Sequence, residues 1–326
     1  FMNRKHFFVC AALFAVLLTA PVFADNHEEE GDSPSFFVMV EGAFTTATGP
    51  GGNYTLLQPN SDGQPQGVMQ GVDMDSATAP RLGFGWNAGN GWWSISWSQW
   101  DDDSMDSISA ADPNYVWDML YHSDDAWDSF EGTASAMRTV DATTIDLTYG
   151  RKVFSDDKFS GNWMFGLRSA SLDHMLNVSY ADLFDELHHV DLASEASGIG
   201  FVGGVSGSYH MNDHWFVTGG FQYSFMTGEV ESMSYMEETD VLGTFVDVDA
   251  DVMSEEDRTF SIMTASASLV WHPTASTYFW VGYEISQWDN VVDTHLYPDD
   301  VSEGFVQTDT TGINFDGFKV GVGFTF

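Results

Sequence analysis

Basic residues are scarce in this sequence. Only 10 of its 326 residues are Lys or Arg, against 49 Asp or Glu, so the formal net charge is −39. Binding to nucleic acid needs a basic surface that neutralises phosphates, so this balance excludes DNA and RNA as partners. Disorder is excluded on other grounds, because 15% of the residues are aromatic and disordered chains contain few aromatic residues.

Cysteine and long apolar runs are also in short supply. Cys10 is the single cysteine, which excludes a disulfide scaffold and a cysteine-based zinc site. Beyond residue 24, no stretch of 18 consecutive residues is apolar, so no transmembrane helix is expected. An exported chain that does without disulfides fits a bacterial envelope protein better than a eukaryotic secreted one.

The first 24 residues have the features of a secretory signal peptide. The Arg4–Lys5 pair is a short positive region, residues 7–20 are apolar, and Ala24 supplies a small residue at a cleavage site. The apolar run is too short to span a bilayer comfortably. The sequence therefore predicts a signal peptide over residues 1–24 and a mature domain over residues 25–326.

Apolar and polar residues alternate along the mature chain. In residues 318–326, apolar side chains are separated by small or charged ones, which is the pattern of a strand with one apolar face. Most of the runs with this alternation are long enough to cross a bilayer as tilted strands, which takes about 9–11 residues. The ten runs cover residues 34–46, 76–87, 91–102, 136–150, 161–176, 194–210, 214–229, 257–272, 277–289 and 314–326.

The links between these runs alternate between long and short. The long links cover residues 47–75, 103–135, 177–193, 230–256 and 290–313. This rhythm is typical of outer-membrane barrels, which have long extracellular loops and short periplasmic turns. The sequence predicts an all-β, transmembrane, antiparallel up-and-down barrel of ten strands in the outer membrane of a Gram-negative bacterium. A hairpin within residues 115–135 would make twelve strands.

Aromatic residues flank each predicted short turn. On a barrel they would line up as a belt at the periplasmic membrane interface, where amphipathic rings prefer to lie. The predicted belt contains Trp86, Trp93, Tyr149, Trp163, Tyr209, Trp215, Trp271 and Phe279.

Several charged residues alternate with the apolar residues of their strands, so their side chains lie on the face opposite to the apolar one. Arg or Lys facing lipid at the bilayer midplane would cost about 2–4 kcal/mol, so these side chains are expected to point into the lumen. The predicted lumen residues are Arg81, Arg138, Arg168, Arg258, Lys319, Glu41, Asp146 and Glu284. Either they pair into a polar plug that holds a narrow barrel shut, or they line a water-filled constriction.

The predicted extracellular loops are acidic. Residues 101–137 contain ten acids and no base, and residues 229–257 contain eleven acids and no base. Such a mouth would concentrate cations, and its carboxylates could hold Ca²⁺ or Mg²⁺ weakly; a solvated acidic surface is the alternative. No other cofactor is expected. The predicted acidic mouth includes Asp101, Asp102, Asp103, Asp124, Asp125 and Asp128.

A set of short segments resembles, in order along the chain, the Legionella-type major outer membrane protein family. The segments are Arg81–Trp86, Asp146–Arg151, Phe165–Arg168 with Asp173, Gly282–Glu284 with Trp288, and Phe315–Phe326. The resemblance covers most of the mature chain and implies a pore-forming barrel. The chain departs from the family in its acidity and in its lack of a cysteine beyond residue 24, so assembly through cysteine crosslinks is not carried over.

These observations favour a porin-like protein that lets ions or small hydrophilic solutes diffuse passively, with a preference for cations. The alternative is a closed structural or adhesive barrel whose acidic loops bind divalent cations or a surface partner. No enzymatic activity is expected. The expected partners are outer-membrane lipid, lipopolysaccharide and the barrel assembly machinery, which would read the C-terminal Phe326.

Overall fold

The computed structural model describes residues 35–49, 52–59, 67–88, 91–112, 114–117, 120, 130–182, 186–240, 244–296 and 307–326. These residues form strands, turns and bends, without helices. Accordingly, no helix in the described part of the chain could cross a bilayer. The predicted signal peptide, residues 1–24, lies outside the described residues.

Ten antiparallel strands close into a barrel, as predicted. Its first strand pairs with the last one, for instance Glu41 with Gly321, and with the second barrel strand, for instance Glu41 with Arg81. The barrel strands are β1 (Ser35–Thr48), β4 (Ser76–Ala88), β5 (Gly91–Ala110), β7 (Gly132–Ser155), β8 (Phe159–Asp182), β9 (Glu186–His210), β10 (Trp215–Asp240), β11 (Phe245–Thr274), β12 (Thr277–Leu296) and β13 (Gln307–Thr325).

Three short strands form a separate sheet rather than a part of the barrel. Strand β2 (Asn53–Gln58) pairs with β3 (Val68–Gly71) and with β6 (Tyr115–Trp117). The twelve-strand alternative, a hairpin within residues 115–135, is wrong, because ten strands close the barrel and β6 joins this small sheet.

The two ends of the barrel differ. Short connections join β4 to β5, β7 to β8, β9 to β10 and β11 to β12 at one end, called here the turn end. Both chain ends of the barrel lie there too, since Phe326 and Phe36 exchange two backbone hydrogen bonds of 2.8 and 3.2 Å. The opposite end, called the loop end, carries three long connections, at residues 49–75, 111–131 and 297–306, and two short ones, at residues 183–185 and 241–244.

The loop end corrects the prediction of long loops. Strands β8 and β9 run through most of residues 177–193, and β10 and β11 through most of residues 230–256. The strands continue here with polar and acidic residues on the outside. A strand face that contacts water instead of lipid loses the apolar alternation on which the sequence prediction depended.

The outer surface near the turn end is apolar and aromatic. Outward rings contact their neighbours across the strands, for instance Trp86 with Trp93 (ring centroids 6.2 Å apart) and Trp215 with Trp271 (6.0 Å). Many large outward side chains, including Phe165, Phe201 and Phe225, are more than half exposed. A soluble protein seldom leaves so large an apolar area uncovered, whereas a bilayer covers it. The chain is an outer-membrane-type β-barrel, the predicted fold class.

Candidate functional site in the barrel lumen

A cluster of four charged residues lies on the inner wall where β1, β4, β12 and β13 meet. The Arg81 guanidinium contacts both Glu41, with Nη1 3.2 Å from Oε1, and Glu284, with Nη2 2.5 Å from Oε1. The Lys319 ammonium lies 3.0 Å from Glu284 Oε2. Trp280 also donates its indole N–H to Glu41. The cluster joins strands that are consecutive around the wall, so it fastens the closing seam of the barrel.

A second ion pair lies on the wall formed by β7 and β8. Arg168 Nε and Nη2 donate to the two carboxylate oxygens of Asp146 over 2.6 and 2.7 Å. The same guanidinium donates to Ser224 Oγ (3.0 Å) and Gln222 Oε1 (3.1 Å) on β10. Both charged side chains are buried, with 6% of Arg168 and 13% of Asp146 exposed. A bidentate pair with these further bonds has little freedom to rearrange.

The two remaining predicted arginines lie further toward the loop end. Arg138 is buried and donates from Nε to His174 Nε2 over 3.1 Å. Arg258 donates to Asp293 over 2.6 Å and also contacts the exposed Glu256 at 2.7 Å. All eight predicted lumen residues thus lie on the inner face, seven of them in contact with an oppositely charged side chain and Arg138 in contact with a histidine.

Between these charges, an apolar layer fills the lumen. It is one cluster of buried apolar side chains to which each of the ten barrel strands contributes. The Phe315 ring packs edge-on against Trp100 (centroids 5.1 Å apart) and Trp288 (6.0 Å). The four aromatic members of this apolar layer are Trp100, Phe260, Trp288 and Phe315.

The small sheet closes the loop end above the apolar layer. Tyr54 of β2 is fully buried against inward side chains of the barrel, among them Tyr180 and Leu176. Its hydroxyl donates to Asp106 Oδ2 on β5 over 2.9 Å, and the Tyr180 hydroxyl donates to the Tyr54 carbonyl. The sheet of β2, β3 and β6 is called the cap. It is held to the barrel by hydrogen bonds as well as by apolar packing.

On the other side of the apolar layer, toward the turn end, the lumen is open enough to hold a cavity of about 520 Å³. The charged clusters around Arg81 and Arg168 line it, together with serine and threonine hydroxyls and the rings of Tyr278 and Trp280. It is called the turn-end cavity.

The predicted acidic mouth is not assembled as expected. Asp101, Asp102 and Asp103 belong to strand β5 and not to a loop. Asp101 and Asp103 point outward and are exposed, whereas Asp102 points inward and burial raises its pKa. The alternation of side chains along a strand separates the three carboxylates onto two faces. Asp124, Asp125 and Asp128 lie outside the described residues.

Acidic side chains instead form a row on the outside of the barrel, above the apolar band. Each carboxylate is directly opposite the next one on the neighbouring strand. The negative charge of Asp173 raises the pKa of Glu195, with smaller effects from burial and Glu231. Near one end of the row, carboxylate oxygens of Glu229, Glu231 and Glu255 lie within 4.8 Å of one another. The outer acidic row consists of Asp101, Asp141, Asp173, Glu195, Glu231 and Glu255.

His174 lies just beyond this row and outside the membrane-spanning segment, because it follows Asp173 on β8. Burial, with a smaller contribution from the positive Arg138, lowers its pKa to about 3. The imidazole is therefore neutral, which allows Nε2 to accept the hydrogen bond from Arg138.

The apolar layer was not predicted from the sequence, although the alternation of side chains along the strands indicated some of its members. Trp100 shares the parity of the inward Ser96 and Ser98, and Trp288 shares that of the inward Glu284. The alternation that placed the charges on the inner face would have placed both tryptophans there too. Whether such rings meet across the lumen depends on the strand order and register, which a single strand does not contain.

Neither a protein-family model nor a curated protein matches the chain. Among solved structures, it is similar to the outer membrane protease OmpT from Escherichia coli, at 13% identity over 92% of this chain and 99% of that one, with a TM-score of 0.49. It is also similar to the translocator domain of the autotransporter NalP from Neisseria meningitidis, at 10% identity over 99% and 98% of the two chains, with a TM-score of 0.35.

A third similar structure is the outer membrane protein OprG from Pseudomonas aeruginosa, at 10% identity over 90% and 97% of the two chains, with a TM-score of 0.30. At these low scores, the function of the barrel has to be argued from its own lumen and outer surface.

Proposed function

We propose that the protein is an outer-membrane barrel whose lumen is closed to passive diffusion and whose acidic outer strands interact with the cell surface. The observation that carries this proposal is the apolar layer, to which all ten barrel strands contribute buried side chains. An ion that enters an apolar, water-free region loses its hydration, at a cost of many kcal/mol. Ions therefore do not cross the layer while its side chains are packed together.

The ion pairs support the same proposal. A water-filled constriction presents charges to the passing solute, but here Glu41, Arg81, Glu284 and Lys319 are paired with one another. The cap adds a second obstruction at the loop end. Of the two alternatives that the sequence left open, this proposal favours the closed barrel, with the apolar layer rather than the charges as the main obstruction.

Single-channel recording on the refolded protein in a planar bilayer, under a salt gradient, tests the closure. We expect no conductance steps from the wild-type barrel. A variant with Trp100, Trp288 and Phe315 all replaced by Ala removes the three contacting rings of the layer and is expected to conduct. The matched control replaces the outward pair Trp215 and Trp271 by Ala and is expected to stay silent. Stable cation-selective steps from the wild type would overturn the closure and favour the porin-like function.

A gated pore is the second candidate function, favoured by two observations. The turn-end cavity already forms half of a polar pathway, and the cap is a separate sheet that could move without breaking the barrel. The resemblance to the Legionella-type family, which implies a pore, agrees with this candidate. Rare conductance events that become frequent in Tyr54→Ala, which loosens the cap, would support it over permanent closure.

We further propose that the outer acidic row binds Ca²⁺ or Mg²⁺ and thereby contacts lipopolysaccharide. The row lies directly above the apolar band, at the level of the lipid head groups, and like charges that face each other across strands are destabilising unless a cation lies between them. Divalent cations would bridge these carboxylates to lipid phosphates. From the sequence, weak divalent sites are expected at the acidic loops; we propose that they lie on the outer acidic row, near Glu229, Glu231 and Glu255.

Urea unfolding with and without millimolar CaCl₂ tests this proposal. We expect Ca²⁺ to raise the unfolding midpoint of the wild type by more than NaCl of equal ionic strength does. The double variant E231Q/E255Q should lose that difference, whereas D156N, which changes an acid in a short turn at the other end, should keep it. Equal effects of CaCl₂ and NaCl on the wild type would refute a divalent site.

The location of the protein in the cell follows from its architecture. Single-chain barrels with an even number of strands occur in the outer membranes of Gram-negative bacteria, in agreement with the predicted location. We propose no reaction for the chain, and the expectation that it is not an enzyme stays a prediction.

A further inference from the structure

We propose that the turn-end cavity binds a neutral carbohydrate, with a sugar ring stacked on Tyr278 and Trp280. The closure proposed above gives this cavity no role. The inference uses that closure only to decide from which side a ligand enters. Since the short turns of outer-membrane barrels face the periplasm, a ligand would enter from the periplasm and stop at the apolar layer. The cavity of about 520 Å³ lies within the range of about 300–1,000 Å³ that is typical of small-molecule sites.

The charges around the cavity balance. Three carboxylates and three basic groups line it: Glu41, Asp146 and Glu284 with Arg81, Arg168 and Lys319. Each contacts a partner of opposite sign among these six. The wall therefore carries no net charge with which to hold an ion, whereas its fixed polar groups can still exchange hydrogen bonds with a neutral polar molecule.

Several hydroxyl groups line the remaining wall between apolar side chains. Ser96 of β5, Ser206 of β9, Thr218 of β10, and Ser266 and Ser268 of β11 all line the cavity. A hydroxyl can donate one hydrogen bond and accept others, so this wall matches a ligand that is itself rich in hydroxyls. A neutral ligand with donors and acceptors on all its edges is a sugar rather than an amine or a carboxylic acid.

Two aromatic rings lie flat against the wall of the cavity. Tyr278 and Trp280 lie next to each other, with centroids 5.6 Å apart and planes 25° from parallel, and His272 lies beside Tyr278 (centroids 5.3 Å apart). Glycines on the paired strand make this possible, because a Cβ added at Gly321 or Gly323 would come within 2.1 Å of the Trp280 or Tyr278 ring respectively. Each ring thus covers a glycine, and both line the cavity.

A ring held flat in this way suits the apolar C–H face of a pyranose. The sugar face packs on the aromatic face while its hydroxyls point outward to polar partners. Trp280 is fixed in place, since its N–H donates to Glu41, so little freedom is lost on binding. The aromatic platform and the hydroxyl wall belong to one cavity, and together they specify a neutral sugar.

Rings that cover glycines also stabilise a β-barrel, so the test must separate ligand binding from folding. The full mature protein is refolded in dimethyldodecylamine oxide, a detergent without a sugar head group. Binding is measured by saturation-transfer NMR with maltotetraose, tetra-N-acetylchitotetraose and the anionic tetragalacturonic acid as probes. Folding of each variant is checked independently by the shift in electrophoretic mobility between boiled and unboiled samples.

We expect at least one neutral tetrasaccharide to bind, and Tyr278→Ala to weaken its affinity by at least about tenfold. The outward neighbour variant Phe279→Ala should stay within about twofold of the wild type. Ser266→Phe keeps both rings but fills the cavity, and should abolish binding even if Tyr278→Ala does not fold. The absence of saturation transfer from either neutral sugar to folded wild type, or tighter binding of the anionic probe, would overturn the inference.

Conductance separates this inference from the proposed closure. If the wild type conducts and still binds sugar, the closure fails and the carbohydrate site stands. If the wild type is silent and binds no sugar, the closure stands and the carbohydrate site fails.

Discussion

Replacing Asp146 by Asn would leave the Arg168 guanidinium without its counter-charge in the middle of the barrel wall. Arg168 would keep its bonds to Gln222 and Ser224, but two charge-assisted hydrogen bonds of 2.6 and 2.7 Å would be weakened. Because both side chains are buried, the uncompensated charge has little water to solvate it. Removing one partner of a buried ion pair costs about 3–5 kcal/mol.

The size of this loss shows how far water from the turn-end cavity reaches the ion pair. If water surrounded the pair, it would behave like an exposed one, and its loss would cost about 0.2–1 kcal/mol. The chain contains a suitable exposed comparison, Glu256, which lies 2.7 Å from Arg258 and is 61% exposed. We therefore expect Glu256→Gln to cost less than about 1 kcal/mol, several times less than Asp146→Asn.

The measurement is reversible urea unfolding of the protein refolded into short-chain lipid vesicles, followed by tryptophan fluorescence. The double variant D146L/R168M replaces the pair with apolar side chains and should be close to neutral, since buried pairs are often replaced without loss. If D146N costs no more than E256Q, the pair is solvated, and the argument that the barrel wall shields Arg168 and Asp146 from water is refuted.

Three further predictions follow from single contacts. His174→Gln should make stability less dependent on pH. The unfolded histidine takes up a proton as the pH falls below 6.5, whereas the folded one does so only near pH 3. As the pH falls from 6.5 to 3, the wild type should therefore lose at least about 1 kcal/mol more stability than the variant, measured by urea unfolding. Tyr54→Phe removes the 2.9 Å bond to Asp106 and should cost about 1 kcal/mol while a conductance trace stays silent; an unchanged urea midpoint would contradict the bond. Deleting Phe326, which pairs with Phe36 at the seam, should lower the amount of folded barrel in cells, measured by heat-dependent gel mobility, and equal yields would contradict its role as an assembly signal.

Comparison of the chain with its fold shows where sequence patterns stop being informative. The alternation of residues 318–326 and of the other membrane-crossing runs predicted ten strands, because lipid on one side and the lumen on the other impose period two. The strand extensions of β8 to β11 beyond the outer acidic row were read as loops. Water surrounds these extensions, so their outward residues are as polar as those of a loop.

Parity within single strands determined which side chains point inward, and it placed Arg81, Arg168 and their acidic partners on the inner face of the barrel. It could not determine whether the inward side chains meet. The apolar layer forms because Trp100 on β5 is brought to the level of Trp288 and Phe315, on the distant paired strands β12 and β13, by the closed strand order and its register. The cap likewise depends on pairing between β2 and β6 across about 60 residues, and it is set by packing against the barrel interior. The sequence by itself determined a membrane barrel with a charged inner wall; only the tertiary structure decided that inward side chains form one apolar layer, because such a layer depends on side chains that meet inside the lumen.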